Sequence, residues 1–200
     1  MTRYVLLFLA AIPTLAIADK KWTLYDGPQL KREQIGTFNL YNYPGYLSKI
    51  QIYTISIDSH NFEDDGAMGL VPAAGGQALL APGKHIARIS FVDTKHRLFP
   101  AFMDSRTFPG WYEIEFEVQP GMIYAPTLPP RAAGNIELDR MCIGSVPFNK
   151  GVGAALGDIR KQTDFASCGA PTLDPKIDRE SWCRSWDGTN SRPIICRHPD

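Results

Sequence analysis

The chain of 200 residues carries 21 basic and 21 acidic side chains, a formal net charge of zero. No basic excess draws it to nucleic acid or to an anionic membrane surface. With 44% hydrophobic residues it has the apolar content of a globular chain, long enough to build a real core.

The first eighteen residues read as a secretory signal. Arg3 supplies a positive start, Tyr4 to Leu15 an apolar stretch, and Ala16-Ile17-Ala18 a small-residue cleavage site. The stretch contains Pro13 and falls short of the roughly 20 apolar residues a spanning helix needs. Cleavage before Asp19 is therefore expected, giving a periplasmic or secreted mature chain with no membrane span. Removal of residues 1 to 18 takes away one charge, Arg3, and leaves 20 basic against 21 acidic residues.

The 17 glycines and 16 prolines punctuate the chain every ten residues or so, which favours short strands and turns over long helices. "DGPQLKREQIG" reads as a turn followed by one short helical turn, and "YNYPGY" as a loop bearing Tyr41, Tyr43 and Tyr46. In the strand from Lys49 to Asp58, Ile50 and Ile52 have one parity and Ile55 and Ile57 the other. A bulge near Tyr53-Thr54 would restore a single buried face; the alternative is a strand buried on both sides. The polar loop "DSHNFEDDG" gathers Glu63, Asp64 and Asp65, oxygen ligands suited to calcium. A calcium loop would need a bidentate glutamate where Pro72 stands, so the acidic run reads as a solvated loop and no metal is expected.

In "ALLAPGKHIARISF", Pro82-Gly83 suits the type II turn of a hairpin, feeding a strand in which Ala87, Ile89 and Phe91 share the buried face. "WYEIEFEV" is the clearest strand: Tyr112, Ile114, Phe116 and Val118 point inward, and Glu113, Glu115 and Glu117 form a solvated row. "QPGMIYAP" gives a turn and a further strand, and "NIELDRMCIG" another strand. "NKGVGAALGDIRKQTD" suggests a helix capped by Asn149. "LDPKIDRESW" suggests a short one, with Asp174 at the cap and Pro175 in the first turn.

All four cysteines, Cys142, Cys168, Cys183 and Cys196, lie in the last third. An even count in an exported chain, with no C-x-x-C spacing for zinc, points to two disulfides. Of the three connectivities, Cys142–Cys168 with Cys183–Cys196 closes the shortest loops. The expected organisation is a signal peptide over 1–18, a small antiparallel β-sandwich over 19–133, and a disulfide-stabilised extension with short helices over 134–200.

"YDGPQLKREQIGTF", "ISID", "LLAPGKHIARISF" and "FEVQPGMIY" resemble a set of uncharacterised bacterial exported proteins and lipoproteins. The resemblance spans roughly residues 24 to 126 and implies a β-sandwich similar to PEGA-like or transthyretin-like domains. It implies no catalytic residues. Two departures stand out: the chain lacks a lipid-attachment cysteine, and it carries the cysteine-containing extension.

No nucleophile elbow, zinc-protease helix, phosphate loop or dinucleotide fingerprint is present, and no cofactor is expected. His85, just after the Pro-Gly turn, is the catalytic candidate, with Asp58, His60 or His96 as partners. A histidine closing a turn more often hydrogen-bonds or packs. Tyr41, Tyr43 and Tyr46, with Trp182 and Trp186 of the extension, form a candidate aromatic binding platform. The expected function is a non-catalytic envelope or secreted module that binds a protein or glycan. The alternative is a hydrolase of envelope polymers using His85 or the acidic loop. Nothing in the sequence sets an oligomeric state.

Overall fold

The computed structural model describes residues 21–42, 50–62, 76–94, 105–129, 138–149, 151–178, 180 and 183. Strands dominate, and they form two sheets. The first runs in the order β1 (Lys21–Thr23), β6 (Gln77–Leu80), β2 (Gly36–Asn39), β10 (Met122–Thr127), β11 (Met141–Pro147) and β12 (Ser167–Gly169). The second runs β13 (Pro171–Leu173), β9 (Gly110–Val118), β7 (Gly83–Thr94), β4 (Ile50–Ile57) and β3 (Tyr41–Asn42), with β5 (His60–Asn61) paired to β4 and β8 (Ser105–Thr107) to β7. Neighbours are antiparallel except β1 with β6 and β2 with β10.

The alternation in β9 places its side chains as its residue types dictate. Tyr112, Ile114, Phe116 and Val118 are buried, and Glu113, Glu115 and Glu117 are exposed. On the neighbouring strand Ala87, Ile89 and Phe91 are fully buried. The exposed face carries cross-strand ion pairs, Arg88 to Glu113 at 3.0 Å and Lys84 to Glu115 at 2.9 Å. Pairs this exposed add little stability, so the strands are held mainly by what lies beneath them.

Side chains of both sheets meet in one core. The Phe116 ring of the second sheet lies 5.3 Å from Phe38 and 5.7 Å from Tyr124 of the first. At another point Trp22 of β1 meets Phe62, just past β5, edge-on at 5.3 Å.

The bulge in β4 is present and sits one residue later than expected. Register with β7 shifts between Thr54 and Ser56, leaving Ile55 as the extra residue. Ile52, Thr54 and Ile57 then stand opposite Phe91, Ile89 and Ala87, all on the core face. Ile57 is thus returned inward, as its apolar side chain requires, while Ile55 stays half-buried. The bulge also commits Thr54 to the core, where its hydroxyl has no hydrogen-bond partner among the described residues. A buried hydroxyl with no partner costs free energy. Thr54→Val keeps the shape and removes that cost, so it is expected to raise stability by up to about 1 kcal/mol in a urea titration.

The Pro82-Gly83 turn requires a correction. It is not the bend of a hairpin: β6 belongs to the first sheet and β7 to the second. The turn carries the chain across from one sheet to the other. Gly83 has φ of +134°, a conformation open to glycine and strained for other residues. Gly121, at φ +70°, serves another crossing, from β9 to β10.

Past residue 134 the chain continues into both sheets. β11 pairs with β10, and β13 pairs with β9, so hydrogen bonding crosses the expected 133/134 boundary. The helix α1 (Val152–Ile159) packs Ala155 and Ile159 against Ile123 and Ala125 of β10, on the side of the first sheet away from the shared core. Its cap is Gly151, with no side-chain hydrogen bond, rather than Asn149. Residues 174–178 form a turn in which Asp174 Oδ1 accepts the Lys176 N–H, instead of the expected helix start. Helical backbone is found at Glu180 and Cys183, and Asp178 Oδ1 accepts the Glu180 N–H.

Cys142 and Cys168 are joined, as expected, across directly facing positions of β11 and β12. Cys183 is also disulfide-bonded, and Cys196 lies outside the described residues.

Tyr112 is fully buried, and its hydroxyl donates to the Leu138 carbonyl ahead of β11. Burial, reinforced by the charge of Asp139, pushes its ionisation far above the ordinary tyrosine range. Such a group keeps its proton in the folded chain and gives it up near pH 10 when unfolded. Its stabilisation is therefore complete below about pH 10 and lost as pH rises further. Alkaline unfolding followed by circular dichroism should begin above that point, and Tyr112→Phe should flatten the dependence.

Candidate functional site

Two sequence motifs far apart in the chain, "ISID" and "APGKH", meet at one corner of the second sheet. Asp58 ends the strand β4 as the first of two residues in the hairpin to β5, with φ of +52°. Aspartate tolerates this left-handed conformation better than most side chains, and two-residue hairpin loops often require it. The carboxylate is thereby turned toward β7. Its Oδ1 accepts the Ile86 N–H at 3.0 Å and its Oδ2 lies 2.8 Å from His85 Nδ1. The Asp58 N–H in turn donates to the Ile86 carbonyl at 2.8 Å.

His85 follows the parity of Ala87 and Ile89, so its ring points into the molecule and is only 9% exposed. Nε2 lies 2.9 Å from the Ala81 carbonyl, and the ring sits 5.9 Å from that of Phe116. A carbonyl only accepts, so Nε2 carries a proton and donates it. A general base needs a free nitrogen facing a substrate proton. Here one nitrogen is spent on Asp58 and the other on the backbone. The arrangement ties the β4 hairpin to the crossing between the sheets.

Of the partners considered for His85, the fold brings up Asp58. His60 is one strand-pair away, with its ring against Phe62 at 4.8 Å, and His96 lies outside the described residues. Among the described residues no group of three or more His, Cys, Asp or Glu side chains is placed to hold a metal ion. The acidic run Glu63, Asp64 and Asp65 lies outside those residues.

Of the aromatic platform, Tyr41 is described. It stands on β3, opposite Tyr53 of β4, and is half-buried. Burial raises its hydroxyl pKa, with Tyr53 contributing. Tyr43, Tyr46, Trp182 and Trp186 lie outside the described residues.

Sequence reasoning overlooked a polar junction beside Tyr41. Asn42 is 1% exposed; its side-chain amide donates to the Pro126 carbonyl at 2.8 Å, and its oxygen accepts from Arg160 Nε at 2.9 Å. This links the edge of the second sheet to β10 of the first and to the end of α1. The residues are 84 and 118 positions apart in sequence, and no local pattern signals such a contact.

Another aromatic feature lies on the open face of the second sheet, where the Arg88 guanidinium sits over Trp111 at 5.5 Å while bonding Glu113. Among the described residues no helix is long and apolar enough to cross a membrane. Comparison with protein-family models, with curated proteins and with solved structures finds no match to this chain.

Proposed function

We propose that the chain is an exported, non-catalytic module of the cell envelope or secreted space, a β-sandwich that binds a protein or glycan partner. The observation that carries the reading is the state of His85. The histidine best placed by sequence for chemistry has both ring nitrogens engaged, by Asp58 and by the Ala81 carbonyl. The disulfides support export, because such bonds persist mainly in oxidising compartments. The shared core between two sheets supports the sandwich.

Binding is assigned to the aromatic platform of Tyr41, Tyr43, Tyr46, Trp182 and Trp186. Aromatic side chains bring large contact area at small entropic cost, which suits sugar rings and peptide alike. The test has two arms. Mass spectrometry of the protein recovered from cells should show a chain lacking residues 1 to 18. Purified cell-wall sacculi and a glycan array should then retain the wild type, and Tyr41→Ala, Trp182→Ala and Trp186→Ala should each weaken retention about tenfold or more, as loss of a binding hot spot does. Retention unchanged in all three variants would remove the platform assignment. Release of soluble fragments from the sacculi, abolished by His85→Gln, would establish the hydrolase in its place.

A further inference from the structure

Residues 167–173 cross from one sheet to the other along the side of the molecule. The first part, β12, is the edge of the first sheet, and the second, β13, is the edge of the second. One residue, Ala170, separates them. Each is a three-residue strand with three register pairs, β12 on Met141, Cys142 and Ile143, and β13 on Gly110, Trp111 and Tyr112. Neither contributes a fully buried residue: Ser167, Cys168, Gly169, Pro171 and Leu173 are half-buried and Thr172 is exposed. Strands this short and this wet have little to hold them.

The segment nevertheless lies hard against β9. A side chain begun at Gly169 would place its Cβ 2.5 Å from the Glu113 carbonyl oxygen, so only glycine permits the approach. The covalent attachment is the Cys142–Cys168 disulfide, at the middle of the three β12 pairs. Its two ends differ in access: Cys142 is fully buried in β11, and Cys168 is half-buried on the segment itself.

We propose that residues 167–173 form a redox-controlled strap, locked across the two sheets by Cys142–Cys168 and released when that bond is reduced. The chemistry is thiol–disulfide exchange with a dithiol reductant. Its thiolate attacks Sγ of Cys168, the half-buried partner of the pair; the S–S bond breaks and Cys142 leaves as the thiolate. The second thiol of the reductant then displaces Cys168 from the mixed disulfide. The reductant ends as a disulfide, the protein as two thiols, and two electrons have moved. Cys142 stays within the core strand while Cys168 departs with the strap. Release uncovers the edges of β11 at 141–143 and of β9 at 110–112. The fully buried residues of the core lie on other elements, and the strap adds only the half-buried Leu173 at its margin.

Hydrogen exchange read by mass spectrometry tests this on the full chain carrying Cys183→Ser and Cys196→Ser, in which Cys142–Cys168 is the one remaining bond. After treatment of the folded protein with dithiothreitol, alkylation should report two new thiols. Peptides covering 110–112, 141–143 and 167–173 should lose protection, while 85–91, 114–118 and the helix α1 keep theirs. The native chain, reduced in the same way, is the companion if the variant fails to fold. A bond that resists the reductant would overturn the proposal. So would unchanged protection at 167–173 after reduction, or protection lost uniformly through both sheets.

Discussion

Phe116→Ala is expected to lower stability by about 3–5 kcal/mol, read as a fall in the urea midpoint without a change of slope. Phe116 stands where three parts of the molecule converge: Phe38 and Tyr124 of the first sheet, and His85 of the crossing. Truncation removes the buried area of the ring and leaves a cavity bounded by both sheets. Backbone pairing on either side limits how far those sheets can collapse into it. The neighbouring Glu115→Ala, on the solvated face, should cost less than about 0.5 kcal/mol, because its partner Lys84 is also exposed. Comparable losses for the two variants would refute the assignment of the faces.

The strand that carries Phe116 was legible in the sequence because period-2 alternation with charged outer residues has few other readings. β7 was legible for the same reason, and so was the parity conflict in β4, which a bulge resolves for Ile57. The β2 strand was not. "GTFN" is buried at all four positions, with Thr37 and Asn39 inside as well as Phe38, so no alternation marks it. It lies between β6 and β10, and this central position buries polar side chains that a local reading assigns to a loop. The strands β12 and β13 escaped for the opposite reason. "SCG" and "PTL" are short, half-exposed edge pieces whose pairing is set by distant partners and a disulfide. The Pro-Gly turn was recognisable as a turn. Whether it closes a hairpin or crosses between sheets depends on which strands its neighbours find, and that is a tertiary choice.

The corner of Asp58 and His85 shows the same limit at the level of a site. Each motif was visible, and their contact, 27 residues apart, was not. The contact also gives the second large expected effect. Asp58→Ala removes the acceptor for the Ile86 N–H and the partner of His85 Nδ1, and it places an alanine at φ +52°. A buried ring nitrogen without its partner costs about 1–3 kcal/mol, and left-handed backbone at a non-glycine residue adds about 1 kcal/mol. The expected total loss is about 2–4 kcal/mol.

Asp58→Asn should behave differently. Asparagine tolerates positive φ, and its side-chain oxygen can still accept the Ile86 N–H. Its amide can donate to Nδ1 of a neutral His85 ring whose Nε2–H remains bonded to the Ala81 carbonyl. Every polar atom of the corner then keeps a partner, and the loss should stay near 1 kcal/mol. The ordering separates the fit of the corner from its charge. A latch is largely rescued by asparagine, because geometry and hydrogen bonding survive the loss of charge. A corner held by the charge of Asp58 would not be rescued. Thermal unfolding of the two variants side by side decides between them, and equal destabilisation by alanine and asparagine would show that the charge of Asp58, rather than the fit of the corner, holds the crossing in place.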